Sequence, residues 1–260
     1  TFYTLDAGFI DLGGSDEIHL PIAVRTGRVE DIAFILGSIL KKIDWYPTSL
    51  IGEAHGNVLV GGKMDLARMQ ISSQLEGSDW ALMGEKARKV KFNFGYDQGV
   101  YSASNVNLTK TNGQVLGGIE FNSLDDEMKW DFHTENFTLT DIDFVDRLQV
   151  PARSKIEVKS SGQGKASQLQ STSEAKFLET VLKGEKLDPT TFTLEMGEKT
   201  IRMKLDMFGN RLHSQMKYAL TPKQPSSFAL DLNEFDFSPV LMILNPKLMD
   251  DSEIGRASCR

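Results

Sequence analysis

The clearest indication of the fold is the segment Ile201-Arg-Met-Lys-Leu-Asp-Met207, followed by Phe208-Gly-Asn210 and then Arg211-Leu-His-Ser-Gln-Met-Lys-Tyr218. Apolar and polar side chains alternate on both sides of the glycine. Because successive side chains of a β-strand point to opposite faces, each run predicts a strand with one apolar and one solvated face. A short glycine-bearing link between two such runs is typical of a β-hairpin.

The same alternation recurs along the chain, for example at residues 90–94, 128–132 and 228–232. Short links of hairpin type separate several runs, at residues 97–99, 111–113 and 196–198. Strands with one solvated face belong to antiparallel sheets. The sequence therefore predicts a mostly β protein of antiparallel, meandering strands, roughly ten to fourteen in number.

Two glycine pairs fall within predicted strands, at Gly61-Gly62 and Gly117-Gly118. No lysine and hydroxyl residue follow them at the spacing of a phosphate-binding loop. Glycine inside a strand is typical of a bulge or of a close approach by another backbone. We expect bends at these positions.

Three short helices are predicted, at residues 29–43, 144–148 and 240–249. An acidic residue and a phenylalanine stand near the start of each and are followed by an apolar stretch. We call this combination the crossing motif: Asp31 and Phe34, Asp141 and Phe144, Asp236 and Phe237. With the strands before each motif, it predicts a loose repeat: the end of one repeat in 1–50, a second in 51–150 and a third in 151–252. Three unrelated helix starts are the alternative.

Composition limits the possible functions. The 260 residues have a formal net charge of -7 and no basic run. Binding nucleic acid requires a concentrated positive surface, so no nucleic-acid partner is expected. No apolar run approaches the roughly 18 residues of a membrane-spanning helix.

No constellation for catalysis is found. The four histidines stand at no metal-ligand spacing from one another or from a cysteine. Asp141, Asp143 and Asp146 resemble the start of a calcium loop, but the required glycine and closing glutamate are missing. No nucleophile has a base and an orienting group that can be argued for it. We therefore expect no enzyme activity, no metal and no cofactor.

Both ends of the chain indicate a fragment. Thr1 opens within a strand-like run. The last eight residues, Glu253-Ile-Gly-Arg-Ala-Ser-Cys-Arg260, match the translation of a common sequencing adapter at every codon. We expect them to be an artefact, which removes the single cysteine, Cys259, from the natural protein.

The apolar strand faces are the remaining candidate site. They are either the sealed core of a structural or adhesive β-sandwich array or an open surface that contacts lipid. Methionines on these faces suit partners of variable shape, as well as a loose core. The candidate lining residues are Val90, Phe92, Phe94, Val106, Leu108, Met128, Trp130, Phe132, Ile201, Met203, Leu205, Met207, Phe228, Leu230 and Leu232.

Three parts of the sequence resemble the AsmA-like and TamB-like proteins of Gram-negative envelopes. They are the segment at 56–66, the strand series at 89–139 and the closing segment Phe137-Thr-Leu-Thr-Asp-Ile-Asp-Phe144, whose residue pattern recurs at 230–244. The resemblance covers most of 52–248 at the level of pattern. Residues 1–50 fit the end of a preceding repeat.

This resemblance implies an elongated, twisted, half-open β-groove with short crossing helices, similar to the eukaryotic bridge-like lipid transfer proteins. It implies a periplasmic protein, anchored to the inner membrane through a segment missing here, that moves phospholipid toward the outer membrane or serves outer-membrane biogenesis. The implied partners are phospholipid acyl chains and proteins of the inner and outer membranes.

Overall fold

The computed structural model describes residues 2–5, 7–11, 14–31, 51–65, 67–82, 84–148, 151–165, 168–182, 184–197, 199–221, 225–235 and 237. The chain divides into two compact units. Unit 1 comprises Thr1–Phe132 with Gln163–Ala166, and unit 2 comprises His133–Gly162 with Ser167–Arg260.

Unit 1 is built from long antiparallel strands in sequence order. β1 and β2 both pair with β3, and from β3 to β8 each strand pairs with the next. The strands are β1 Phe2–Leu5, β2 Phe9–Ile10, β3 Glu17–Arg28, β4 Ile51–Lys63, β5 Met69–Leu82, β6 Glu85–Asp97, β7 Val100–Thr109, β8 Gln114–Asn122 and β9 Glu127–Glu135, whose last three residues belong to unit 2.

Unit 2 continues the meander after a short helical segment. A 3-10 turn at Leu139–Asp141 leads into the helix α1, Asp143–Arg147. From β14 to β17 each strand pairs antiparallel with the next, and β12 pairs with β14. The strands are β10 Phe137–Thr138, β11 Ala152–Lys165, β12 Gln170–Leu182, β13 Glu185–Lys186, β14 Thr190–Gly197, β15 Thr200–Met207, β16 Leu212–Ala219 and β17 Ser227–Leu232.

The predicted hairpin links are confirmed. Gln98 and Gly99 join β6 to β7 with φ of 46° and 88°. Positive φ at both central residues gives the turn a twist that matches the flanking strands, and glycine adopts it without strain. Phe208, Gly209 and Asn210 likewise have positive φ between β15 and β16.

A β-bulge in β7 keeps its apolar side chains on one face of the sheet. The register between β7 and β8 shifts between Ala103 and Val106, and Asn105 there has a φ of 51°. Without a bulge, a one-residue shift would move every later side chain of β7 to the other face. Val106 and Leu108 therefore stay on the same face as Ala103.

The predicted close approach at Gly117 is also confirmed. A Cβ at this residue would collide with the carbonyl oxygen of Asp131 on β9. The φ of 153° is a second reason for glycine there, since other residues rarely adopt it.

The mostly β class with antiparallel, meandering strands is confirmed. The described residues hold seventeen strands, above the predicted range, because β2, β10 and β13 are two-residue strands without alternation. The helix expected at 144–148 is confirmed as α1. Of that expected at 29–43, residues 29–31 are helical and the rest lie outside the described residues. The helix expected at 240–249 and the adapter-like residues 253–260 also lie outside them. The predicted repeat boundaries stay a prediction.

Candidate functional site: the apolar strand faces

The apolar side chains of unit 1 line up across strands. Residues paired in an antiparallel ladder point to the same face, so each ladder position forms a row across the sheet. One row runs through Ile22, Val58, Ser73, Phe94, Ala103 and Ile119. The next runs through Leu20, Val60, Ile71, Tyr96, Tyr101 and Phe121. Neither row contains a charged residue.

The predicted lining residues of β6 and β7 lie on this face. Val90 pairs with Leu108, and Val106 pairs with Gly117. Phe92 and Phe94 follow Val90 at every second position of β6. The ring of Phe132 on β9 lies beside Gly117, and Met128 and Trp130 share its alternation.

Aromatic rings contact one another along the same face. The ring centroids of Tyr96 and Tyr101 are 4.9 Å apart, and those of Tyr101 and Phe121 are 6.4 Å apart. Trp80 meets Phe92 edge-on at 5.7 Å. Burial raises the pKa of the Tyr101 hydroxyl, with a smaller contribution from Tyr96. Partial burial withdraws the phenolate from water, which disfavours the charged form.

Unit 2 repeats the arrangement on β14 to β17. One row runs through Ala175, Phe192, Leu205, Ser214 and Leu230, and another through Ser173, Leu194, Met203, Met216 and Phe228. Ile201 and Met207 flank these rows on β15, and Leu232 pairs with Leu212. All seven predicted lining residues of unit 2 thus share one face, and the two rows contain no charged residue.

The two faces differ in exposure. In unit 1, Val90 is 2% exposed and Leu75 is 7% exposed, whereas Ile22, Val58 and Phe94 are half-buried and Ile119 is 39% exposed. In unit 2, the residues of β14 and β15 on this face are half-buried. On β17, Phe228 is 66% exposed, Leu230 47% and Leu232 43%. The face of unit 2 therefore opens progressively toward β17.

The opposite faces carry the charges. Lys91 and Glu76 form an ion pair of 2.7 Å between Nζ and Oε1, and the hydrogen bond and charge of Lys91 lower the pKa of Glu76. In unit 2, His213 bonds to Asp206, and Arg202 lies 4.0 Å from Glu195. Segregating charge from apolar surface leaves one face per unit available to an apolar ligand.

The residues of the crossing motif differ in their burial and contacts. The Asp141 carboxylate is buried and accepts hydrogen bonds of 2.9 Å from both the backbone N–H and the hydroxyl of Thr138, which fixes the start of the 3-10 turn. Phe144 is 59% exposed. Phe237 meets Phe235 edge-on at 4.8 Å, and Asp31 is the last described helical residue after β3. Phe34 and Asp236 lie outside the described residues.

The structure also reveals polar residues that sequence reasoning missed. Asn57, Gln74 and Asn93 line a concave part of the solvated face of unit 1. One feature of the sequence could have indicated these residues, because the solvated positions of the neighbouring strands are uncharged in this part of unit 1.

No group of three or more acidic, histidine or cysteine residues that could hold a metal occurs in the described ranges. Among the helices described, none is long and apolar enough to cross a membrane. No family model, no curated protein and no solved structure matches the chain.

Proposed function

We propose that the chain is a segment of a bridge-like protein that binds phospholipid acyl chains along its apolar strand faces and moves phospholipid between the inner and outer membranes. The observation that carries the proposal is the uncharged face of unit 2, which is built from four consecutive strands and opens toward β17. The resemblance of residues 52–248 to AsmA-like and TamB-like proteins supports the cellular setting.

The energetics favour such a surface as a lipid contact. Each CH2 group of an acyl chain gains about 0.8 kcal/mol when it leaves water. Met203 and Met216 face each other in the register of β15 and β16, and flexible thioethers adapt to chains of different shape. A row without charge has no group that would hold a lipid at one position, which suits sliding.

Photo-crosslinking tests this proposal with a matched pair of positions. A photoreactive amino acid replaces Met203 on the apolar face, or Lys204, its neighbour on the opposite face. Each variant is mixed with vesicles of phosphatidylethanolamine and phosphatidylglycerol, irradiated and analysed by mass spectrometry. We expect phospholipid adducts at position 203 and few at 204. Absence of adducts at 203, or equal yields at both, would contradict lipid binding by this face.

A structural or adhesive array with sealed cores is the second candidate, and the burial of Val90 and Leu75 in unit 1 favours it for that unit. The same crosslinker at Phe94 separates the two possibilities there. Lipid adducts at 94 favour a lipid-contacting face, and adducts restricted to protein favour a sealed core.

A further inference from the structure

The strands of unit 1 form a depression of about 740 Å³. It is lined mainly by residues of the solvated face, and also by Ile22, Val58, Ser73 and Phe94, which lie between them in sequence. Two neighbouring rows form its floor. The first runs through Asn57, Gln74, Asn93 and Ser104, and the second through Leu59, Ser72, Gly95 and Ser102. The volume falls in the range of sites that bind small ligands.

The polar side chains of this floor have no hydrogen-bond partner among the side chains that the structure describes. Among the residues that the structure describes, no side-chain hydrogen bond is made by the three amides, Asn57, Gln74 and Asn93, or by the three hydroxyls, Ser72, Ser102 and Ser104. Each side-chain amide offers hydrogen-bond donors on its nitrogen and an acceptor oxygen. Each hydroxyl can likewise donate and accept a hydrogen bond. Adjacent strands lie about 4.8 Å apart, so the amides form a regular series across the sheet.

The two rows of the floor contain no charged residue, whereas the rows on either side of them do. On one side, the next row contains the ion pair of Glu76 and Lys91. On the other side, the side-chain amide of Gln70 donates to Asp97 at 3.2 Å. A ligand lying between these rows meets donors and acceptors without a net charge, which favours a neutral ligand over a phosphate or a carboxylate.

An aromatic ring stands at the edge of the depression. Phe9 is 54% exposed and stacks on His19, which lines the depression, with ring centroids 5.9 Å apart. An exposed ring beside amides and hydroxyls provides an apolar surface next to hydrogen-bonding groups. A sugar has matching chemistry, because its ring has C–H faces and its edge carries hydroxyls.

We infer that this depression binds a neutral glycan chain, with the ring of Phe9 against a sugar face and the amides of Asn57, Gln74 and Asn93 bonded to its hydroxyls. This inference does not depend on lipid binding, because it concerns the opposite face of the strands.

Isothermal titration calorimetry of the 260-residue chain tests the inference with three probes: N-acetylglucosamine tetramer, maltotetraose and the anionic glycerol phosphate. We expect one or both neutral oligosaccharides to bind and glycerol phosphate not to bind. Replacing all three amides (Asn57→Ala, Gln74→Ala, Asn93→Ala) should weaken binding about tenfold or more, since three hydrogen bonds are lost. Phe9→Ala should weaken it as well.

Gln170→Ala is the matched control, since it removes an exposed strand glutamine from the other unit. It should leave binding unchanged. Because the three amides have no described partner, the triple variant should unfold at the same urea concentration as the unaltered chain. No binding of either neutral oligosaccharide, or equal affinity in the triple variant, would overturn the inference. Preferential binding of glycerol phosphate would overturn it in favour of an anion site.

Discussion

Val90 of unit 1 and Leu230 of unit 2 belong to the same kind of sequence pattern, but β6 pairs with strands on both sides, whereas β17 pairs with β16 alone among the described residues. Both are apolar residues at alternating positions of an antiparallel strand, and both lie in rows without charge. Yet Val90 is 2% exposed and Leu230 is 47% exposed. Alternation therefore determines which face is apolar, and the packing around the strand determines whether that face reaches water.

The largest effect is expected when a charged residue is placed on each of the two faces. Val90→Asp should destabilise the chain by about 4 kcal/mol or more, because burial at this position removes the carboxylate from water. Leu230→Asp should have a much smaller effect, because its carboxylate stays hydrated. Urea denaturation followed by circular dichroism measures both. Equal shifts in midpoint would show that the two faces are covered alike.

Truncation to alanine gives a second, smaller contrast. Leu75→Ala should cost about 2 to 5 kcal/mol, since a cavity is left in the buried face of unit 1. Leu232→Ala should cost about 1 kcal/mol or less, because this side chain is 43% exposed and has less burial to lose. The same denaturation experiment applies, and a larger loss at Leu232 than at Leu75 would reverse the comparison.

The smallest expected effect concerns Tyr101, which is half-buried on the apolar face of unit 1. Its pKa is raised by burial, so the folded state favours the neutral hydroxyl. The contribution to stability is fully present below the ordinary tyrosine pKa of about 10 and is lost as the pH rises through the raised value. Stability should therefore fall in this alkaline range, and Tyr101→Phe should reduce that fall.

Phenolate absorbance provides a direct readout of the same group. The difference between the titration curves of the unaltered chain and Tyr101→Phe isolates its ionisation. That difference should appear above about pH 10. Ionisation at or below that value would indicate that the face around Tyr101 is open to water.

Several features were predictable because they depend on local chemistry. The hairpin at Gly209-Asn210 requires positive φ, and glycine and asparagine adopt it readily. The shared face of Ile201, Met203 and Leu205 follows from the period of two along a strand. The close approach of β9 to Gly117 was also predictable from the sequence, since only glycine fits at this position.

Other features depend on residues far apart in the chain. The bulge at Asn105, which returns Val106 and Leu108 to the apolar face, has no clear signal in the alternation of β7. The two-residue strands β2, β10 and β13 are too short for any period and form only because a longer strand offers free backbone groups. The depression of unit 1 combines residues from five strands, from His19 to Ser104.

The antiparallel class, the main hairpins and the apolar side of each long strand follow from the sequence, because turn chemistry and side-chain alternation act over a few residues. How exposed those apolar sides are, and where uncharged polar side chains of separate strands gather in one depression, depend on the tertiary structure. Exposure and concavity depend on which strands become neighbours and how they curve, and no short stretch of residues contains that information.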